Sequence, residues 1–128
     1  MNTPDQISPI VDAPPVSAVD LSDCHHRWFL VDGDGKWAGD GVAKKLDQLT
    51  LSVAHGHLVV RAPGMLRLDI PIDVIEDDES VWAMVDVAGQ SVNVVDEGDL
   101  VAAWFANVVG QPVRLVKRLP DQDSPMFG

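Results

Sequence analysis

The sequence has one cysteine, no tyrosine and few basic residues. A lone Cys24 forms no intramolecular disulfide and no thiolate zinc centre, so neither one staples the fold. Lysine and arginine number 9 against 20 aspartates and glutamates, for a net charge of -11. That balance argues against a nucleic-acid binder, which needs a net basic face, and against a polybasic membrane-surface module. Long apolar runs are missing too. The longest, Leu100 to Val109, is interrupted by Asn107 and is too short to span a bilayer. No lysine or arginine precedes Arg27 and no apolar h-region follows Met1, so a secretory signal is not expected and a soluble, cytoplasmic chain is. Neither a Gly-rich phosphate loop nor a serine nucleophile elbow occurs.

What remains is a chain of 128 residues with 46% hydrophobic content. That is one domain's worth, with enough apolar side chain for one core. Polar residues and Pro4, Pro9, Pro14 and Pro15 mark 1–14 as a flexible arm, and Pro120 and Pro125 mark 119–128 as a flexible tail. The folded body is expected over 15–118.

Within it, short strands alternate with turn signals. Arg27 to Val31 reads as a strand leading into Asp32-Gly33-Asp34-Gly35, whose two Asp-Gly steps suit a tight hairpin with Lys36 and Trp37 on the return. Leu49, Leu51 and Val53 alternate with polar or small residues, as in a half-buried strand. His55-Gly56-His57 turns the chain into Leu58-Val59-Val60, and Pro63-Gly64 ends that strand. Leu66, Leu68 and Ile70 alternate with Arg67 and Asp69 and predict a further inward-facing row. Val81, Ala83, Val85 and Val87 share a strand face, Gly89-Gln90 is the expected turn, and Val92 and Val94 face back. One helix, about 98–109, follows from Val101, Trp104, Phe105 and Val108 at helical spacing. Asp96, Glu97 and Asp99 suit its N-terminal end, and Gly110 and Pro112 its stop. Val113, Leu115 and Val116 predict a last strand. The sum is a mainly β (α+β) fold: a small β-barrel of short, mostly antiparallel strands with one helix before the last strand.

Few residues suggest chemistry. Asp32-x-Asp34-Gly35 starts like a calcium loop, but Lys36 and Ala43 fall where oxygen ligands belong, so a hairpin turn is the reading. His55 and His57 lack an evident third metal ligand. In Cys24-His25-His26 the thiol and its neighbouring imidazole point to opposite faces if the segment is extended, which disfavours a catalytic pair. The carboxylates Asp73, Glu76, Asp77, Asp78 and Glu79 read as a solvated loop. Four tryptophans, Trp28, Trp37, Trp82 and Trp104, are expected mostly in the core.

Two blocks carry more than pattern. Arg27-Trp28-Phe29-Leu30-Val31-Asp32-Gly33-Asp34-Gly35 is the first. Gly98-Asp99-Leu100-Val101-Ala102-Ala103-Trp104-Phe105, continuing through Gly110-Gln111-Pro112-Val113-Arg114-Leu115-Val116, is the second, with Ala62-Pro63-Gly64-Met65 between them. In this order they resemble the N-terminal β-barrel domain of MOSC proteins, the domain that precedes the molybdenum-cofactor-binding MOSC domain. The resemblance covers roughly 16–118. It implies a β-barrel with a helix before its last strand and a link to molybdenum cofactor enzymes.

The departures define the expected function. The family's Tyr-Pro-Val/Ile-Lys-Ser opening, whose Lys and Ser help hold the cofactor, corresponds here to Pro9-Ile10-Val11-Asp12-Ala13-Pro14-Pro15. His26 occupies the place of a cofactor-binding arginine, with Arg27 one further on. Val42-Ala43-Lys44-Lys45 replaces Thr-Ala-Arg-Gln. The weak cofactor-contact candidates are therefore Arg27, His26 and Lys44. No catalytic residue, metal ligand or bound cofactor is assigned. The expected role is a stand-alone, non-catalytic accessory module whose partner is a MOSC-domain protein or a small ligand, with no nucleic acid and no membrane. The alternative is a subunit or fragment of a molybdenum-cofactor oxidoreductase or sulfurase whose MOSC domain lies on another chain.

Overall fold

The computed structural model describes residues 6–17, 26–72 and 82–118. Cys24, His25, the acidic run 73–79 and the tail 119–128 lie outside the described residues. In chain order the elements are β1 (Gln6–Ile7), β2 (Val16–Ser17), β3 (Trp28–Val31), α1 (Asp40–Leu46), β4 (Thr50–Ala54) and β5 (His57–Arg61). Then come β6 (Leu68–Pro71), β7 (Trp82–Val87), β8 (Gln90–Asp96), α2 (Asp99–Val109) and β9 (Arg114–Arg118). The strands form antiparallel sheets in the orders β1-β2, β3-β9-β8-β7 and β4-β5-β6. The mainly antiparallel, barrel-like architecture with one main helix before the last strand is the expected one. Among the described residues no helix is long and apolar enough to cross a membrane.

The four-stranded sheet bends toward closure through a short bridge. Trp37 pairs with Val31 of β3, while Lys36 pairs in parallel with Asp86 of β7. The Trp37 N–H donates to the Asp86 carbonyl at 2.8 Å, and the Asp86 N–H to the Gly35 carbonyl at 2.9 Å. Residues 35–37 therefore link the two edge strands. Inside lies a small valine-rich cluster: Phe29, Val31, Val85, Val87, Val92, Val94 and Val116, with Trp37 packed against it. The other face of β3 and β9 supplies Trp28, Leu30 and Leu115 to a larger core. That core also takes Val42 and Leu46 of α1, Trp104 and Phe105 of α2, and Leu58, Val60 and Ile70 of the three-stranded sheet. All four residues of β3 are buried because both of its faces are covered, which is why it reads as an unbroken apolar run.

Several expectations change in detail. The segment read as an arm contains β1, and its Ile10 is 0% exposed, with Val11 and Ala13 also buried. The Val11 N–H donates to the Trp28 carbonyl at 3.0 Å, so burial and pairing with β3 outweigh the prolines. The helix α1 is an addition. It is one short turn-pair that gives Val42 and Leu46 to the core, too little apolar periodicity to register in sequence. Leu66 is not part of an inward row: it is 86% exposed, and β6 starts at Leu68. The β7–β8 turn is Ala88-Gly89, one residue earlier than expected, with φ of 53° and 88°. In the Asp-Gly turn only Gly35 takes the left-handed conformation, at φ 77°. His55 and Gly56, at φ 52° and 76°, make the β4–β5 turn, and His57 opens β5.

Candidate functional site

The chemistry-bearing residues gather where β8 runs into α2 and β9 starts. Gly98 precedes α2 with φ 105° and no side chain caps the helix. The neighbouring carboxylates serve other partners instead. Asp96 accepts from the Gly98 N–H at 2.8 Å and from Arg114 Nη2 at 3.0 Å, and Arg114 Nε also donates to it. Asp99 accepts from Arg114 Nη2 at 2.8 Å. Burial alone would push the Asp96 carboxyl up, but the Arg114 guanidinium and the Gly98 N–H together hold it below its ordinary value. Asp96 and then Asp99 hold the Arg114 guanidinium above its own ordinary value.

Glu97 turns inward. Its Oε2 accepts from Trp28 Nε1–H at 2.7 Å and lies 4.0 Å from Lys117 Nζ. Lys117 is 2% exposed, and its ammonium sits 5.9 Å from the centre of the Trp28 ring. One strand, β9, thus delivers Arg114 to the surface and Lys117 to the interior.

A groove of about 470 Å³ opens beside this corner. Ala102, Ala103 and Ala106 of α2 form its floor. Pro112 and Val113 before β9 and Asp32 and Gly33 after β3 also line it. Asp99 and Arg114 complete the rim. The Asp32 carboxylate accepts the amides of Asp34 at 2.8 Å and Lys36 at 3.1 Å. Those two bonds, Lys36 first, hold its carboxyl below the ordinary value. They also account for the Asp-Gly segment as a side-chain-braced turn.

The residues singled out in the sequence are scattered. Arg27 Nε donates to the Arg118 carbonyl at 2.8 Å, and the Arg118 N–H returns a bond to the Arg27 carbonyl at 2.8 Å. Arg27 thus fastens the end of the β3–β9 pair. His26 has φ 54° and its N–H donates to the Ser8 carbonyl at 2.8 Å. Lys44 is exposed on α1. His57 Nδ1 lies 3.0 Å from the His55 carbonyl, in an exposed turn. Among the described residues no three His, Cys, Asp or Glu side chains gather as a metal set. Of the tryptophans, Trp28 and Trp104 are core residues and Trp37 is half-buried. Sequence reasoning missed Arg114 and the alanine floor. The signal was present in Ala102-Ala103 and Ala106, small residues beside the bulky stripe of α2, and in Arg114 flanked by the buried Val113 and Leu115.

Comparison with known proteins identifies the family. The profile of the MOSC N-terminal beta barrel domain matches residues 16–112. A molybdenum cofactor sulfurase from Danio rerio is 27% identical over 97 residues, which is 73% of this chain and 12% of the sulfurase. The chain thus corresponds to a small part of that relative. A structural-genomics target from Bordetella bronchiseptica, solved in solution, is 38% identical, with a TM-score of 0.82 over 99% of this chain and 97% of that one. With the profile spanning most of the folded body and a barrel of the expected strand and helix order, the chain belongs to the MOSC N-terminal β-barrel domain family.

Proposed function

We propose that the chain is a non-catalytic docking module that serves a MOSC-domain partner. The observation that carries this is the rim of the groove beside α2. Asp32 and Asp99 stand there against a single guanidinium, Arg114, which Asp96 and Asp99 already hold. A phosphate-bearing pterin needs positive donors directed at its oxygens, and a carboxylate-dominated rim repels it. Arg27, the nearest match to the family's basic contact position, has its Nε engaged by a backbone carbonyl. A protein surface is the better complement to such a rim.

A second reading follows from the sulfurase relative. In it the chain supplies the N-terminal barrel of a molybdenum-cofactor oxidoreductase or sulfurase, and another chain supplies the MOSC domain. One pair of titrations separates the two. The chain is titrated with molybdenum cofactor and, in parallel, with a separate MOSC domain, followed by tryptophan fluorescence and NMR shifts. Docking to the MOSC domain without cofactor shifts is the result expected for an accessory module. Cofactor shifts at Arg27, His26 and Lys44 would establish the enzyme-subunit reading. Silence with both would overturn the link to a MOSC partner.

A further inference from the structure

The groove beside α2 joins an apolar floor to an acidic rim, and that combination selects its occupant. Its volume of about 470 Å³ lies within the range of sites that take small ligands or peptide segments. Three alanine methyl groups line the floor, so aliphatic side chains can approach the helix closely. The rim is negative by construction. Asp32 is braced by two amides of its own turn, which keep its carboxylate ionised. The Asp99 side chain is 95% exposed. Asp32 and Asp99 line the groove against the one guanidinium of Arg114, and Arg114 is itself held by Asp99 and by Asp96 beside the groove. The whole chain adds a net charge of -11, and a field of that sign attracts cationic partners over a distance. The chain's own segment 119–128 is a poor complement, because it carries Asp121 and Asp123 and no basic residue.

We infer that this groove docks a basic, apolar peptide segment of a partner protein, an extended stretch with lysine or arginine set between aliphatic residues. The aliphatic side chains lie on Ala103 and Ala106, and the cation is placed between Asp32 and Asp99. The inference rests on the docking-module reading for the existence of a partner, but its chemistry comes from the groove.

The test uses the full isotope-labelled chain and two capped hexapeptides. One alternates leucine with arginine, and the other has glutamate in place of each arginine. The arginine peptide is expected to shift the amides of Gly33, Ala103 and Ala106, and to bind more weakly as salt rises. Combining Asp32→Asn with Asp99→Asn weakens it about tenfold, the product of two exposed ion pairs. Ala103 is exposed, so Ala103→Leu keeps the helix while filling the groove, and abolishes those shifts. Equal binding of the glutamate peptide would overturn the inference. So would shifts confined to the β4–β5–β6 sheet, or indifference to all three substitutions. Contacts from Met126 or Phe127 to Ala103 in the free chain would also overturn it, by showing the chain's own tail as the occupant. Binding of a MOSC domain with shifts elsewhere removes this inference and leaves the docking module standing. Peptide binding without MOSC binding does the reverse.

Discussion

Strands β3 and β9 differ from β4 and β6 in how many of their faces are covered. Every residue of β3 is buried, as are Leu115, Val116, Lys117 and Arg118 of β9. In β4 only Leu51 is buried, and in β6 only Ile70. The first pair sits between two cores, and the second covers one core from outside. A strand with two buried faces has no solvent side on which to place its charges. Lys117 accordingly lies inside, beside Glu97 and the Trp28 ring. A strand with one buried face keeps its charges outside, as β6 does with Asp69, which pairs in the open with Arg67 just before the strand.

That contrast is open to direct attack. The largest effect is expected from Phe29→Ala, which empties a site covered on all sides and should cost about 3–5 kcal/mol in urea denaturation. Val53→Ala on β4, at a side already 38% exposed, should change stability by less than about 1 kcal/mol. Similar losses at both sites would erase the distinction.

Next is Glu97→Gln. It keeps the acceptor for Trp28 Nε1–H but removes the carboxylate beside a buried ammonium, at a cost of about 3 kcal/mol. Adding Lys117→Met should restore most of the loss. If the double variant is no better than the single one, the two charges are not coupled across β9.

A smaller effect belongs to the Asp96–Arg114 contact. Its carboxyl titrates lower in the folded protein than in the unfolded chain. The stability it contributes is therefore complete above the ordinary carboxylate value of about 3.9 and is lost as pH falls through the lower folded value. Asp96→Asn should lower neutral-pH stability by roughly 1 kcal/mol and flatten the acid limb of the stability curve. Part of the slope should persist, since Asp32 shifts in the same direction. An unchanged acid limb in Asp96→Asn would assign the whole of it to other carboxylates.

The smallest change is a gain. Ala88 holds a left-handed conformation at φ 53° in the β7–β8 turn, where an L side chain other than Asn is strained. Ala88→Asn, giving the Asn-Gly pair that two-residue hairpins prefer, should raise stability by about 0.5–1 kcal/mol in thermal or urea unfolding. A loss would mean that the turn gains more from Ala88 than its dihedral costs.

The sequence made most of this fold legible. The stripe of Trp104 and Phe105, with its Gly110 stop, marked α2, and paired turn residues marked the hairpins. Those signals are local, and local periodicity survives in any context. What stayed hidden depends on partners distant in the chain. Ile10 looks like part of a polar arm until β3 is placed beside it. Lys117 looks like a surface residue until Glu97 and Trp28 arrive. The groove left local traces in the alanines of α2 and in Arg114, but its assembly was hidden for the same reason. Asp32, Ala103 and Arg114 come from three separate segments, and the β3–β9 pairing together with the α2–β9 connection brings them to one groove. Arg27, His26 and Lys44 were chosen by resemblance to family positions; the first two lie side by side just before β3, and Lys44 lies apart from them on α1.

The pairing of β3 with β9 also sets an order of events. Trp28 lies opposite Lys117 and Val31 opposite Arg114, so this ladder joins segments that leave the ribosome far apart in time. The hairpins β4–β5 and β7–β8 can close as soon as their turns are made. The ring cannot, because closing so long a loop must precede the contacts that reward it. During synthesis Trp28, Phe29 and Leu30 wait without their neighbouring strand, an apolar edge open to mispairing. The interval before β9 emerges thus leaves β3 exposed to aggregation, and a chaperone that shields β3 in it would act on yield without altering the finished protein.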